Sequence, residues 1–131
     1  MLDHLKSIAG VALAAVMLLS PSALAGEVRP WSADGFAAAQ AAGAPIVIHV
    51  TAPWCPTCRA QKPTVEGLAA DPDHPDLTVF DVDFDTQKDV LRKFGVRQQS
   101  TLIAYRGATE VARTVGVTRP EAIAELFAAT R

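Results

Sequence analysis

The chain has 131 residues, half of them apolar and a fifth charged, and carries a formal charge of −2. That length gives room for one domain, and the composition suits a soluble globular protein with a proper core. The slight acidic excess argues against nucleic acid as a partner, because a phosphate-binding surface carries a basic excess.

The first residues predict a segment that stands outside the fold. Lys6 closes a short polar start, residues 8–19 are apolar, and Ala23-Leu24-Ala25 follows Ser20 and Pro21. A polar start, an apolar run and an A-x-A site are the three parts of a secretory signal peptide. The run is about a dozen residues, short of the ~20 that cross a bilayer as a stable helix. A cleaved signal peptide over residues 1–25 is therefore expected, leaving a domain over residues 26–131 in a periplasmic or otherwise secreted location. The rival reading is an uncleaved N-terminal anchor.

Beyond that segment, residues 31–42 read as a helix with Ser32 placed to cap it and Gly43 to end it. Residues 46–50, Ile-Val-Ile-His-Val, form a β-branched run short enough to be a strand buried on both faces. A loop carrying Trp54 and Cys55 follows, then a helix from Cys58 to about Ala70 that Pro63 should kink by removing a backbone donor. Residues 71–75, Asp-Pro-Asp-His-Pro, are a turn in which His74 is expected to be solvated. Residues 79–82 predict a second buried strand, 87–94 a short helix ended by Gly95, and 101–105 and 111–115 two strands joined by a turn at Gly107. Thr118 with Glu121 predicts a capping box for a last helix, whose buried stripe is Ile123, Leu126 and Phe127. This order of elements is an α/β layout with a mixed sheet.

Cys55 and Cys58 are the only cysteines. A bridge across two residues constrains the unfolded chain little, so its value as a staple is small. Redox chemistry is the better use. A cysteine near a helix N-terminus meets unpaired N–H groups and the positive end of the helix dipole, both of which favour the thiolate. Only the thiolate attacks a disulfide. Cys55 is therefore the expected attacker, Cys58, one turn in, the resolving residue, and Trp54 an apolar shield that a partner chain can touch. A zinc site needs about four ligands; there is no second C-x-x-C, and His49 and His74 sit in a strand and a loop, so no metal is expected in a single chain.

From residue 26 onward the sequence resembles the thioredoxin family. The resemblance rests on the strand over 46–50, Ala52-Pro53-Trp54-Cys55-Pro56-Thr57-Cys58, Pro63, Leu77-Thr78-Val79, Asp83, Asp85, Phe94-Gly95-Val96, Thr101-Leu102 and Gly116. The Pro-Thr pair followed by Arg59 is locally similar to the thioredoxin-like reductants of periplasmic cytochrome c maturation. The resemblance implies a central mixed sheet of about four or five strands flanked by helices. It also implies thiol–disulfide exchange without a cofactor. The secreted location makes exported protein disulfides or dithiols the expected substrates, and a reductant there would need a membrane electron donor because the compartment is oxidising; the protein is expected to be a monomer. Trp54, Ser100 and Thr101 are the expected substrate contacts.

Three positions depart from the family pattern. Ser100 stands where the family has a cis-proline facing the cysteines; a cis bond before a non-proline residue costs ~3 kcal/mol, so a trans peptide is expected there. The Ser100 hydroxyl could instead hydrogen-bond a cysteine sulfur. His49 takes the place of the family's buried aspartate, and Asp81 that of the lysine partnering it. The expectation is that His49 and Asp81 approach each other beneath Cys58 and that His49 relays the proton Cys58 must lose, since histidine titrates near neutral pH. Asp83 and Asp85 mark a strand end. Two alternatives stay open: two thiolates holding copper(I), zinc or a shared iron–sulfur cluster, and an oxidant that delivers disulfides rather than removing them.

Overall fold

The computed structural model describes residues 26–131; the signal-peptide expectation falls on residues 1–25, outside the described residues. Among the described residues the order is β1 (Glu27–Pro30), α1 (Ala33–Ala41), β2 (Pro45–Thr51), α2 (Pro56–Ala69), β3 (Thr78–Asp83), α3 (Lys88–Phe94), β4 (Thr101–Arg106), β5 (Thr109–Val115) and α4 (Pro120–Ala128). The sheet order is β1-β3-β2-β4-β5. β3 runs parallel to both β1 and β2, whereas β4 is antiparallel to β2 and β5. This is the mixed sheet that the order of elements predicts.

β2 is the centre of the sheet, and its residues from Ile46 to Val50 are all buried. Side chains alternate across a strand, so Ile46, Ile48 and Val50 join Phe36 of α1 and Val90, Leu91 and Phe94 of α3 on one face. Val47 packs instead with Val65 and Ala69 of α2 and Ile123, Leu126 and Phe127 of α4. His49 shares the parity of Val47 and points to the α2 side, where its ring meets Gln61.

Four details differ from the sequence reading. β1 escapes it, because its four residues hold one large apolar side chain, Val28, and end in a proline. β1 forms at an edge by pairing with β3 alone, a position where a proline is tolerated. α2 begins at Pro56 with Cys55 as its N-cap, two residues before the predicted start. The N-cap of α4 is Arg119, without a side-chain cap bond, so the Thr118–Glu121 box does not form. Pro120 supplies the start instead, as the first helical residue whose missing N–H is no loss. His74 is buried rather than solvated. Its loop folds over the end of α4, with the ring edge-on to Phe127 at 5.9 Å and the Asp73 carbonyl accepting from Arg131.

Candidate active site

The loop after β2 delivers the cysteines to the first turn of α2. Cys55 is the N-cap, with extended backbone, and its Sγ accepts from Cys58 N–H at 3.1 Å. Pro56 fills the next position with a residue that needs no donor there. Cys55 and Cys58 are joined as a disulfide, and both are buried. The first sulfur thus lies against a helix N-terminus, where negative charge is favoured. Trp54, 54% exposed, extends from the same loop, and its indole N–H donates to Asp85 Oδ2 at 2.9 Å, which ties the ring to the turn after β3.

Ser100 stands opposite. No peptide among the described residues is cis, and Ser100 takes φ 62°, in the left-handed region. A non-glycine side chain there costs about 1–2 kcal/mol, and the neighbours hold it in place. Ser100 N–H donates to Val50 O at 2.8 Å, and its carbonyl accepts from Gly116 N–H at 3.0 Å and from the Gln61 amide at 3.1 Å. The result is a hydroxyl 3.1 Å from Cys55 Sγ and 3.1 Å from Cys58 Sγ. Thr101 is buried with its hydroxyl donated to Gln98 O at 2.7 Å, so that side chain is committed to its own loop.

Behind the disulfide, His49 and Asp81 are register partners on adjacent parallel strands. His49 Nδ1 lies 3.5 Å from Asp81 Oδ1. With Cys58, Arg59 and Lys62 they border a cavity of about 320 Å³. The structure therefore brings the pair together on the Cys58 side. Asp83 closes β3 and accepts from the N–H groups of Asp85 and Thr86, the strand-end role read from the sequence.

The sequence reading misses Gln61, which is fully buried on α2. It donates to Ser100 O and to Val117 O, at 3.1 and 2.8 Å, and faces His49 Nε2 with Oε1 at 3.0 Å. The signal was in the spacing: Cys58, Gln61, Val65 and Ala69 form the buried stripe of α2, and an amide in an apolar stripe must find partners.

A sheet of this order, with a disulfide of the C-x-x-C type at the helix following its central strand, defines a dithiol oxidoreductase. The Thioredoxin family profile matches residues 28–129. Thioredoxin of Chlamydia muridarum is 32% identical over 96 residues, covering 73% of this chain and 91% of that protein. Thioredoxin H-type of Fagopyrum esculentum is 35% identical over 94 residues, covering 72% and 78%. Among solved structures, Trxlp from Edwardsiella tarda is similar with a TM-score of 0.75 and 48% identity over 77% of this chain and 98% of that one. The chain belongs to the thioredoxin family, and it is a thioredoxin-type thiol–disulfide oxidoreductase.

Proposed function

We propose that this protein works outside the cytoplasm as a reductant of disulfides in exported proteins, re-reduced by a membrane electron donor. The observation that carries the chemistry is the Cys55 sulfur, capped by the Cys58 N–H and by the Ser100 hydroxyl. Both donors favour a thiolate when the bridge is open. The Cys55 thiolate attacks a substrate disulfide, forming a mixed disulfide and releasing the substrate's other sulfur as a thiolate. Cys58 then gives up its proton and attacks the Cys55 sulfur. The internal disulfide forms, the substrate's second sulfur leaves, and the substrate has gained two electrons. Trp54, held by Asp85 and largely exposed, offers the apolar contact for the partner chain.

His49, paired with Asp81, takes the proton from Cys58 and returns it when the disulfide is next reduced. Support comes from their shared cavity and from the general fitness of imidazole as a neutral-pH base. An exported location is supported by the signal-like layout of residues 1–25. The first strand starts at Glu27, so cleavage after Ala25 would leave the sheet intact.

The test is the reduction potential of the Cys55–Cys58 pair in glutathione buffers. A value near or below about −220 mV fits a reductant, and one near −120 mV would make the protein a disulfide donor instead. The location is tested separately, by sequencing the N-terminus of the protein recovered from the extracytoplasmic fraction: Gly26 is expected. The relay fails if His49→Ala leaves exchange rates unchanged from pH 6 to 8.

A further inference from the structure

We propose that Gln61 is a positioning residue that selects which nitrogen of His49 binds the mobile proton. A glutamine amide offers two donor hydrogens on nitrogen and an oxygen that only accepts. The Gln61 nitrogen faces two carbonyl oxygens, Ser100 O at 3.1 Å and Val117 O at 2.8 Å. Carbonyls only accept, so both amide hydrogens are used there and the side chain has one orientation. Its Oε1 is then turned to His49 Nε2 at 3.0 Å. That oxygen also only accepts, so Nε2 must carry a hydrogen.

The remaining lone pair of the imidazole is at Nδ1, which lies 3.5 Å from Asp81 Oδ1. This Oδ1 is buried and has no hydrogen-bond partner. With Nε2 protonated and the pair otherwise empty, two bare acceptors face each other. One proton between Nδ1 and Oδ1 removes that conflict. Gln61 therefore turns the pair into a site for one proton, on the ring edge that faces Asp81. Without Gln61 the neutral ring could place its hydrogen on Nδ1, donate to Asp81, and hold one proton fewer.

The ionisable and charged groups around the pair are Cys58, Arg59 and Lys62 of α2 and Asp83 of β3, which border the same cavity. The β4 neighbour of His49 is Leu102 and the β1 neighbour of Asp81 is Pro30, neither of them charged. That this proton is the one Cys58 exchanges rests on the relay reading above. The assignment of Gln61 does not.

The experiment is a two-bond ¹H–¹⁵N correlation spectrum of the full oxidised chain labelled in its histidines, between pH 5 and 9, with His49 assigned by its absence in His49→Ala. In the native protein Nε2 is expected to stay protonated throughout, and any titration to appear at Nδ1. In Gln61→Met, of similar volume, Nε2 is expected to become the bare nitrogen at high pH while Nδ1 keeps the hydrogen. A bare Nε2 in the native protein overturns the assignment and needs no variant. A Gln61→Met spectrum with the native tautomer overturns it equally. If the tautomers follow the expectation while His49→Ala exchanges disulfides at native rates, the relay falls and the positioning role of Gln61 stands.

Discussion

The two faces of the sheet use the same strands for opposite purposes. Against α1 and α3, Trp31, Phe36, Phe80, Phe94 and Tyr105 meet mainly edge-on, with ring centroids between 5.2 and 6.1 Å apart. Against α2 and α4 an apolar cluster around Val47, Val65 and Phe127 gives way, beside the cysteines, to a buried polar chain: His49 to Gln61, Gln61 to the Ser100 carbonyl, Ser100 to both sulfurs. Of the rings on the aromatic face only Trp31 and Tyr105 carry a polar group, so the packing is almost wholly apolar and can hold the sheet rigid. A buried polar chain is stable only when each member finds a partner. The aromatic face thus supplies stability, and the polar face spends some of it on chemistry.

Breaking the aromatic face should produce the largest loss of stability and no redox change. Phe80→Ala is expected to lower the unfolding free energy by about 3–5 kcal/mol, measured by urea denaturation. The reduction potential of the folded fraction should stay at the native value; a shift would mean that the two faces are coupled. On the polar face, Ser100→Pro restores the residue type of the family pattern yet should cost about 2–3 kcal/mol. It removes the N–H that donates to Val50 O and forces φ to negative values at a position built for 62°. Unchanged stability would mean that the loop before β4 adopts a second geometry readily. Ser100→Ala should have the smallest effect, and a purely chemical one. Losing a hydrogen bond to a thiolate disfavours the charged form by about 1.5 kcal/mol, so the Cys55 pKa should rise, read from the pH dependence of alkylation. No shift would show that the Ser100 hydroxyl does not serve the thiolate.

The same contrast explains what was legible in the sequence. Short apolar runs marked β2, β3 and β4, the Ser32 cap and the Gly43 stop marked α1, and a helical pattern marked α2. The cysteines were legible because a C-x-x-C between a buried strand and a helix admits few other uses. β1 was not, since Glu27–Pro30 is held by its edge pairing with β3 rather than by its own pattern. His74 looked like turn chemistry, but its environment is set by Phe127, 53 positions later in the chain. The pairing of His49 with Asp81 could be read because the resemblance to the thioredoxin family sets them at the places of its buried aspartate and the lysine that partners it. Gln61 could not be assigned a role in advance: its partners Ser100 and Val117 come from two loops, before β4 and after β5, that only tertiary packing brings to α2.

The most direct test of the central claim, that Cys55 attacks and Cys58 resolves, uses the two single-cysteine variants with a disulfide-containing protein such as insulin. Cys58→Ser should accumulate a stable mixed disulfide through Cys55, visible as an added mass that a reductant removes. Cys55→Ser should accumulate little. Trapping through Cys58 in Cys55→Ser, with no adduct in Cys58→Ser, would contradict the assignment of the two sulfurs and the polar face built around it.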